Sequence, residues 1–232
     1  MSPTEIQPCE SPQRGEKMKK SPFIGYYDYW VALTYLSILS AVLGVYFAFD
    51  GNIKAAIICM MFSGLFDTFD GRVASLKERD NIQLSFGIQI DGMADLISFG
   101  VLPATILYSL GQDGGSFGIN NALIPAIYVL ATFIRLAYFT ATETASENTQ
   151  EERAYFQGLP TTSVALLIPI VYSICYVLQA PMFMAFSVML AVISVLFVLR
   201  VKIPKPRMKM QIALCLIGLG VLIVMQILGG LL

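Results

Sequence analysis

The sequence contains no histidine among its 232 residues, and only 13% of the residues are charged. A general base that works near neutral pH must therefore be a carboxylate, a lysine, a tyrosine or a cysteine, and carboxylates are the favoured choice. The four cysteines form no CxxC pair, and three of them lie in apolar segments, so we interpret them as reduced packing residues. They are Cys9, Cys59, Cys175 and Cys215.

The scarcity of charge accompanies a hydrophobic content of 56% and a mean hydropathy of +0.68, which is too apolar for a soluble domain. Apolar segments long enough to cross a bilayer, about 20 residues each, recur without the alternation of barrel strands. We predict an all-α integral membrane protein, a polytopic bundle of about seven transmembrane helices within a range of six to eight. The predicted spans are 29–49, 53–75, 84–110, 120–142, 161–179, 181–200 and 209–231.

Residues 1–21 differ from the rest of the chain, since they are polar, rich in proline and basic near residues 14–20. We predict a flexible cytoplasmic tail here and one membrane domain over residues 22–232. Five aromatic residues follow within residues 23–30, a composition typical of the headgroup region of a bilayer. We expect this segment to lie at the membrane interface.

The distribution of basic residues predicts the orientation. With the N-terminus in the cytoplasm, the basic positions at 14–20, 77–79, 153 and 200–209 all lie on the cytoplasmic side, and the opposite loops contain almost none beyond Lys54. The positive-inside rule therefore favours an orientation with these loops facing the cytosol. We expect the chain to be integral to the cytoplasmic (plasma) membrane.

Two pairs of aspartates, Asp67/Asp70 and Asp91/Asp95, lie in otherwise apolar segments. A carboxylate in such a place costs roughly several kcal/mol unless it is hydrated, paired or bound to a cation. Residues three or four apart share a helix face, and a short polar link should fold the two helices into a hairpin with the four carboxylates near its turn. Oxygen ligands favour Mg²⁺, Mn²⁺ or Ca²⁺ over zinc. The alternative is that the aspartates serve only in caps or salt bridges.

The spacing Asp67-x-x-Asp70-Gly71-x-x-Ala74, followed by Gly87-x-x-x-Asp91-x-x-x-Asp95, resembles the signature of the CDP-alcohol phosphotransferases. Seven of its eight positions match, and the exception is Ser75, where the family has arginine. The resemblance implies a bound cytidine diphosphate moiety, two divalent ions, either Mg²⁺ or Mn²⁺, and a homodimer.

The small residues of the signature have two interpretations. Gly71, Ala74 and Gly87 could simply permit close helix packing; the resemblance implies instead that they leave room for the nucleotide and its diphosphate. The charge that Ser75 lacks could come from Arg72 or from Lys77. Alternatively, Arg72 extends to the cytoplasmic interface.

Arg135 lies in the apolar stretch ATFIRLAYFTA, where an arginine requires an anionic partner. That partner is a substrate carboxylate or phosphate, or else one of the aspartates. Arg-Leu-Ala-Tyr-Phe at 135–139 and Gly-Leu-Pro-Thr-Thr-Ser at 158–163, with LTYLS in the first span and VKIPKP after the sixth, resemble the CDP-diacylglycerol–serine O-phosphatidyltransferases. Common members have asparagine where this chain has Thr140. The residues expected to bind the acceptor or the lipid phosphate are Arg135, Arg153, Gly158 and Pro160.

The resemblance implies an enzyme that transfers the phosphatidyl group of CDP-diacylglycerol to L-serine and releases CMP, with membrane lipids as surroundings and no nucleic-acid partner. We expect Asp67, Asp70 and Asp91 to bind metal, and Asp95 to act as the general base and to contact a metal as well. Two alternatives stay open at this point. One is another acceptor, such as glycerol 3-phosphate or an inositol phosphate; the other is a cation transporter with intramembrane carboxylates.

Overall fold

The computed structural model describes residues 24–74, 80–112, 119–147, 155–157, 160–199 and 202–204, and positions 217, 218, 220 and 223. The predicted tail and the sites at Ser75, Lys77, Arg153 and Gly158 lie outside these residues, as does most of the predicted span 209–231. The helices are α1 (Tyr29–Phe49), α2 (Ile53–Ala74), α3 (Asn81–Asp95), a π-helical segment (Leu96–Val101), α4 (Leu102–Gln112), α5 (Ile119–Glu147), a 3₁₀ turn (Thr161–Ser163), α6 (Val164–Leu178) and α7 (Met182–Val198).

Four helical stretches of the described residues are long and apolar enough to cross a membrane: Tyr29–Phe49, Asn81–Gln112, Asn121–Thr142 and Thr161–Leu178. Helix α7 is equally apolar but shorter, and α2 is long but carries four charged residues. The predicted helical membrane protein is confirmed in this coarser form. The count of seven spans and the interfacial segment stay predictions.

One small element departs from the all-α prediction. Tyr155–Gln157 and Lys202–Pro204 form an antiparallel pair of three-residue strands, with Phe156 opposite Ile203. The sequence gives no alternation over so few residues, so the pairing could not be expected from periodicity. It joins the segment before α6 to the segment after α7.

The turn between α1 and α2 is set by local chemistry. Gly51 adopts a φ of +79°, a left-handed conformation that glycine accepts without strain. The side chain of Asn52 then accepts a hydrogen bond from the Ala55 amide at 3.1 Å, which caps the start of α2. The two helices therefore return side by side as a hairpin.

Small side chains and hydroxyl groups hold α1, α2 and the π-helical segment together. A Cβ on Gly44 would lie 3.1 Å from the Cβ of Cys59 across the α1/α2 contact. Deeper in the bundle, the buried hydroxyl oxygens of Ser37 and Ser63 are 2.7 Å apart, and Ser63 donates to Ser98 at 2.6 Å. In hydrocarbon such groups must satisfy one another, so this cluster fixes the depth at which the three elements meet.

Replacing Gly64 with alanine should lower the unfolding temperature of the detergent-solubilised protein. Its new Cβ would lie 2.8 Å from the Cβ of Ala165 in α6, so α2 and α6 would have to separate. Overpacking of this kind costs about 1–3 kcal/mol. Thermal unfolding followed by circular dichroism measures the change. Gly71→Ala is the matched control because no part of the chain that the structure describes lies within 4 Å of its added Cβ; equal losses in both variants would contradict the close α2/α6 contact.

Candidate metal centre and active site

Three carboxylates, two from α2 and one from α3, converge in the structure. Asp67, Asp70 and Asp91 each place one oxygen within 4.8 Å of the other two, and Asp70 is only 7% exposed. Ca²⁺ binds oxygen at about 2.3–2.6 Å and Mg²⁺ at about 2.0–2.1 Å, so ligands across one ion are roughly 4–5 Å apart. The donor set and its spacing therefore fit a hard divalent cation.

Helix α1 contributes to this centre through Thr34. Its hydroxyl donates a hydrogen bond of 3.1 Å to Oδ2 of Asp70, and both side chains are buried. The bond fixes one oxygen of Asp70 and links α1 to the acidic group. Thr34 belongs to the LTYLS segment that the resemblance singled out, but its contact with Asp70 could not be read from the sequence.

Asp95 stands beside the three-carboxylate group. Its Oδ2 accepts a hydrogen bond of 3.0 Å from the hydroxyl of Thr161, and its carboxylate lies next to that of Asp67 at hydrogen-bonding range. Pro160 precedes the 3₁₀ turn that begins at Thr161, so the Pro-Thr part of the predicted acceptor segment reaches Asp95 through the Thr161 hydroxyl. The structure thus brings together the four aspartates of the sequence pattern, with Asp95 in a different environment from the others.

The chain changes helical register immediately after Asp95. The π-helical segment Leu96–Val101 begins there, and the Phe99 carbonyl inside it accepts a 2.5 Å hydrogen bond from the Tyr128 hydroxyl of α5. Single π turns inside α-helices occur frequently at functional sites. Here the bond ties the end of the acidic helix to α5.

The small residues of the pattern flank the carboxylates. Gly71 is exposed, with open space where a side chain would be, and Ala74 and Gly87 are half-buried. Arg72 extends over the ring of Phe69, with its guanidinium carbon 5.7 Å from the ring centroid. The described residues thus leave an open surface beside Asp70, with a cation at its edge.

Arg135 reaches the same region from α5. Its side chain is 9% exposed, its charge is close enough to Asp95 for the two to interact, and its guanidinium carbon lies 5.3 Å from the ring centroid of Phe197 in α7. Sequence reasoning missed Phe197, because a phenylalanine in an apolar helix gives no signal. Arg135 therefore brings a positive charge to a site dominated by carboxylates.

Thr140, one of the two departures from the resembled patterns, also lies near the acidic helix. A Cβ on Gly92, between Asp91 and Asp95, would come within 2.9 Å of the Thr140 hydroxyl oxygen. That hydroxyl donates to the Leu136 carbonyl at 2.8 Å. The absence of a side chain at Gly92 allows α5 to approach α3 at this level.

Comparison with known proteins agrees with this geometry. Residues 31–231 match the CDP-alcohol phosphatidyltransferase family. An archaetidylserine synthase of Methanothermobacter thermautotrophicus is 35% identical over 140 residues, which are 60% of this chain and 55% of that protein. A CDP-diacylglycerol–serine O-phosphatidyltransferase of Helicobacter pylori is 33% identical over 132 residues (57% and 52%). The corresponding protein of Saccharomyces cerevisiae is 32% identical over 125 residues (53% and 43%).

The chain spans about half the length of the curated relatives it matches. The family match, in contrast, covers nearly all of the chain and includes every aspartate of the centre. The resemblance predicted from the aspartate spacing is confirmed, and the chain belongs to the CDP-alcohol phosphatidyltransferase family.

Proposed function

We propose that this protein is a CDP-diacylglycerol–serine O-phosphatidyltransferase, which transfers a phosphatidyl group to L-serine and releases CMP. The observation that carries the proposal is the convergence of Asp67, Asp70 and Asp91, with Asp95 beside them, in a chain of this family. The names of the relatives support serine as the acceptor, since each acts on, or forms a product containing, serine.

The proposed reaction assigns distinct tasks to the two groups of carboxylates. One or two Mg²⁺ or Mn²⁺ ions held by Asp67, Asp70 and Asp91 would neutralise the diphosphate and stabilise the departing CMP. Asp95 accepts the proton of the serine hydroxyl as its oxygen attacks the phosphorus of the phosphatidyl group. A new P–O bond to serine forms, and the P–O bond to CMP breaks. Thr161 holds Asp95 in place for this step.

The open surface at Gly71 is the proposed place of the nucleotide. Among the residues that the structure describes, no atom lies within 4 Å of a Cβ there, so a diphosphate can approach the backbone of α2 next to Asp70. Ala74 and Gly87 would widen this surface, and Arg72 would supply the charge that Ser75 cannot. The acyl chains would remain in the bilayer between the helices.

The cations described near the site are sufficient for serine. Of the three basic residues whose side chains the structure describes, Lys54 lies at the start of α2, at the other end from the aspartates, which leaves Arg72 and Arg135 near the site. A phosphorylated acceptor brings two negative charges and needs a larger cationic cluster. The carboxylate of serine needs one arginine.

An acceptor panel tests the proposal. Purified protein in mixed micelles with CDP-diacylglycerol and Mn²⁺ should release CMP with L-serine, and much more slowly with glycerol 3-phosphate or an inositol phosphate. Thin-layer chromatography should show phosphatidylserine in equal amount to CMP. Release of CMP with a phosphorylated acceptor and none with serine would assign the protein to the alternative.

Arg135→Lys should raise the KM for L-serine on the order of tenfold and leave the KM for CDP-diacylglycerol nearly unchanged. Lysine keeps the charge but loses the planar pair of donors that binds a carboxylate, and full truncation of such a buried pair costs about 2–5 kcal/mol. Steady-state kinetics with each substrate varied in turn separates the two constants. Should the lipid KM rise instead, Arg135 binds the lipid phosphate, and the serine site lies elsewhere, with Arg153, Gly158 and Pro160 as the first candidates.

We further propose that one membrane domain, residues 22–232, inserts in the plasma membrane with the aspartates toward the cytosol and residues 1–21 as a cytoplasmic tail. Asn81 and Asp50, both exposed, lie at the two ends of the bundle. In a variant without native cysteines, a cysteine at Asn81 should react with an impermeant reagent only from the cytoplasmic side, and one at Asp50 only from outside. The reverse pattern would refute this orientation.

Cross-linking in native membranes tests the homodimer that the resemblance implies.

A further inference from the structure

Arg135 lies over an aromatic ring contributed by a different helix. The guanidinium carbon is 5.3 Å from the centroid of Phe197, inside the range of about 6 Å for an attractive cation–π contact. Both side chains are buried: Arg135 is 9% exposed and Phe197 is 4% exposed. Because little water competes at such a site, the attraction is at the strong end of its range.

The ring of Phe197 is itself held by a fixed neighbour. Tyr128 packs against it with ring centroids 5.9 Å apart, and Tyr128 is fully buried. The Tyr128 hydroxyl donates to the Phe99 carbonyl in the π-helical segment that follows Asp95. The position of Phe197 is thereby linked, through two contacts, to the backbone next to the candidate base.

Arg135 also has an anionic neighbour. Asp95 and Arg135 interact electrostatically, and this attraction draws the guanidinium toward the candidate base. An aromatic face attracts the charge of the guanidinium without accepting hydrogen bonds at carboxylate strength from its edge. The ring can therefore favour one position of the guanidinium, in which the face of Phe197 lies against it.

We propose that Phe197 is a positioning residue for acceptor recognition: its ring holds Arg135 by a cation–π contact in the orientation that binds the carboxylate of L-serine. This role rests on the proposed function. It makes helix α7, which contains none of the aspartates, a determinant of the affinity for the acceptor.

The test is a set of Phe197 variants with serine and lipid kinetics measured for each. Phe197→Leu should raise the KM for L-serine roughly tenfold, as expected from the loss of a desolvated cation–π contact, with much smaller changes in kcat and in the KM for CDP-diacylglycerol. Phe197→Trp and Phe197→Tyr keep an aromatic face and should restore the serine KM. Phe186→Leu is the matched control, since Phe186 is a fully buried phenylalanine of the same helix that packs in the apolar core.

Fluorination of the ring tests the electrostatic origin without a change of shape. Phenylalanines with one, two or three ring fluorines at position 197 have progressively weaker negative faces. The serine KM should rise stepwise along this series. A flat series, or a Phe197→Leu effect equal to that of Phe186→Leu on all three constants, would overturn the role of Phe197 while the enzyme still used serine. No serine transfer by the unmodified protein would refute the proposed function, and the role of Phe197 with it.

Discussion

Asp91→Asn should abolish phosphatidyl transfer, with a loss of at least about a thousandfold, and should weaken Mn²⁺ binding in the same protein. Asparagine keeps the size of the side chain and one oxygen ligand but removes a negative charge. The three oxygens within 4.8 Å of one another repel each other unless a cation lies among them, so each charge contributes to the attraction of the ion. Electrostatic stabilisation by a bound divalent cation amounts to several kcal/mol, and about 1.4 kcal/mol corresponds to each tenfold in rate.

Two measurements separate this loss from misfolding. Titration of Mn²⁺ followed by electron paramagnetic resonance gives the affinity without turnover, and size-exclusion chromatography in detergent reports the folded state. Asp50→Asn is the control, because Asp50 is an exposed aspartate in the turn beyond α1, at the other end of α2 from the centre. Exhaustive chelation of metal ions should abolish the transfer activity of the unmodified enzyme, and added Mn²⁺ or Mg²⁺ should restore that activity. Full activity in Asp91→Asn, or turnover after chelation, would refute the metal centre.

The sequence was most informative where a pattern is local. Apolar length predicted α1 at its observed bounds, Tyr29–Phe49, because hydrocarbon thickness fixes the length of a spanning helix. Aspartate spacing predicted that Asp67, Asp70 and Asp91 would meet, because residues one turn apart share a face and only a short stretch of sequence separates the two acidic segments.

Contacts between distant segments were the part that the sequence could not provide. Thr161 reaches Asp95 across 66 positions, and nothing in the composition of either segment indicates that pairing. In the sequence, Phe197 does not differ from other apolar residues, and its contact with Arg135 exists only because α5 and α7 pack together. The register change after Asp95 also depends on tertiary contacts, since its Phe99 carbonyl is bound by Tyr128. These long-range contacts are the ones that distinguish Asp95 from the other aspartates.

That distinction predicts different consequences for the fourth aspartate. Asp95→Asn should lower kcat by about 10²- to 10⁴-fold, the usual contribution of a positioned general base, and leave the Mn²⁺ affinity close to that of the unmodified protein. The reason is that Asp95 lies outside the three-carboxylate group and is bonded to Thr161. Asparagine can still accept that hydrogen bond but cannot take the proton of the serine hydroxyl.

Two substitutions of Thr161 complement this experiment. Thr161→Val is nearly isosteric and removes the donor at 3.0 Å from Asp95, so kcat should fall by less than in Asp95→Asn, whereas Thr161→Ser keeps the hydroxyl and should retain most activity. Rates of a single turnover at saturating serine, measured together with Mn²⁺ titrations, distinguish a base from a ligand. If Asp95→Asn loses Mn²⁺ as Asp91→Asn does, Asp95 is a metal ligand in the working enzyme, and the proton of serine must pass to another of the carboxylates or to water.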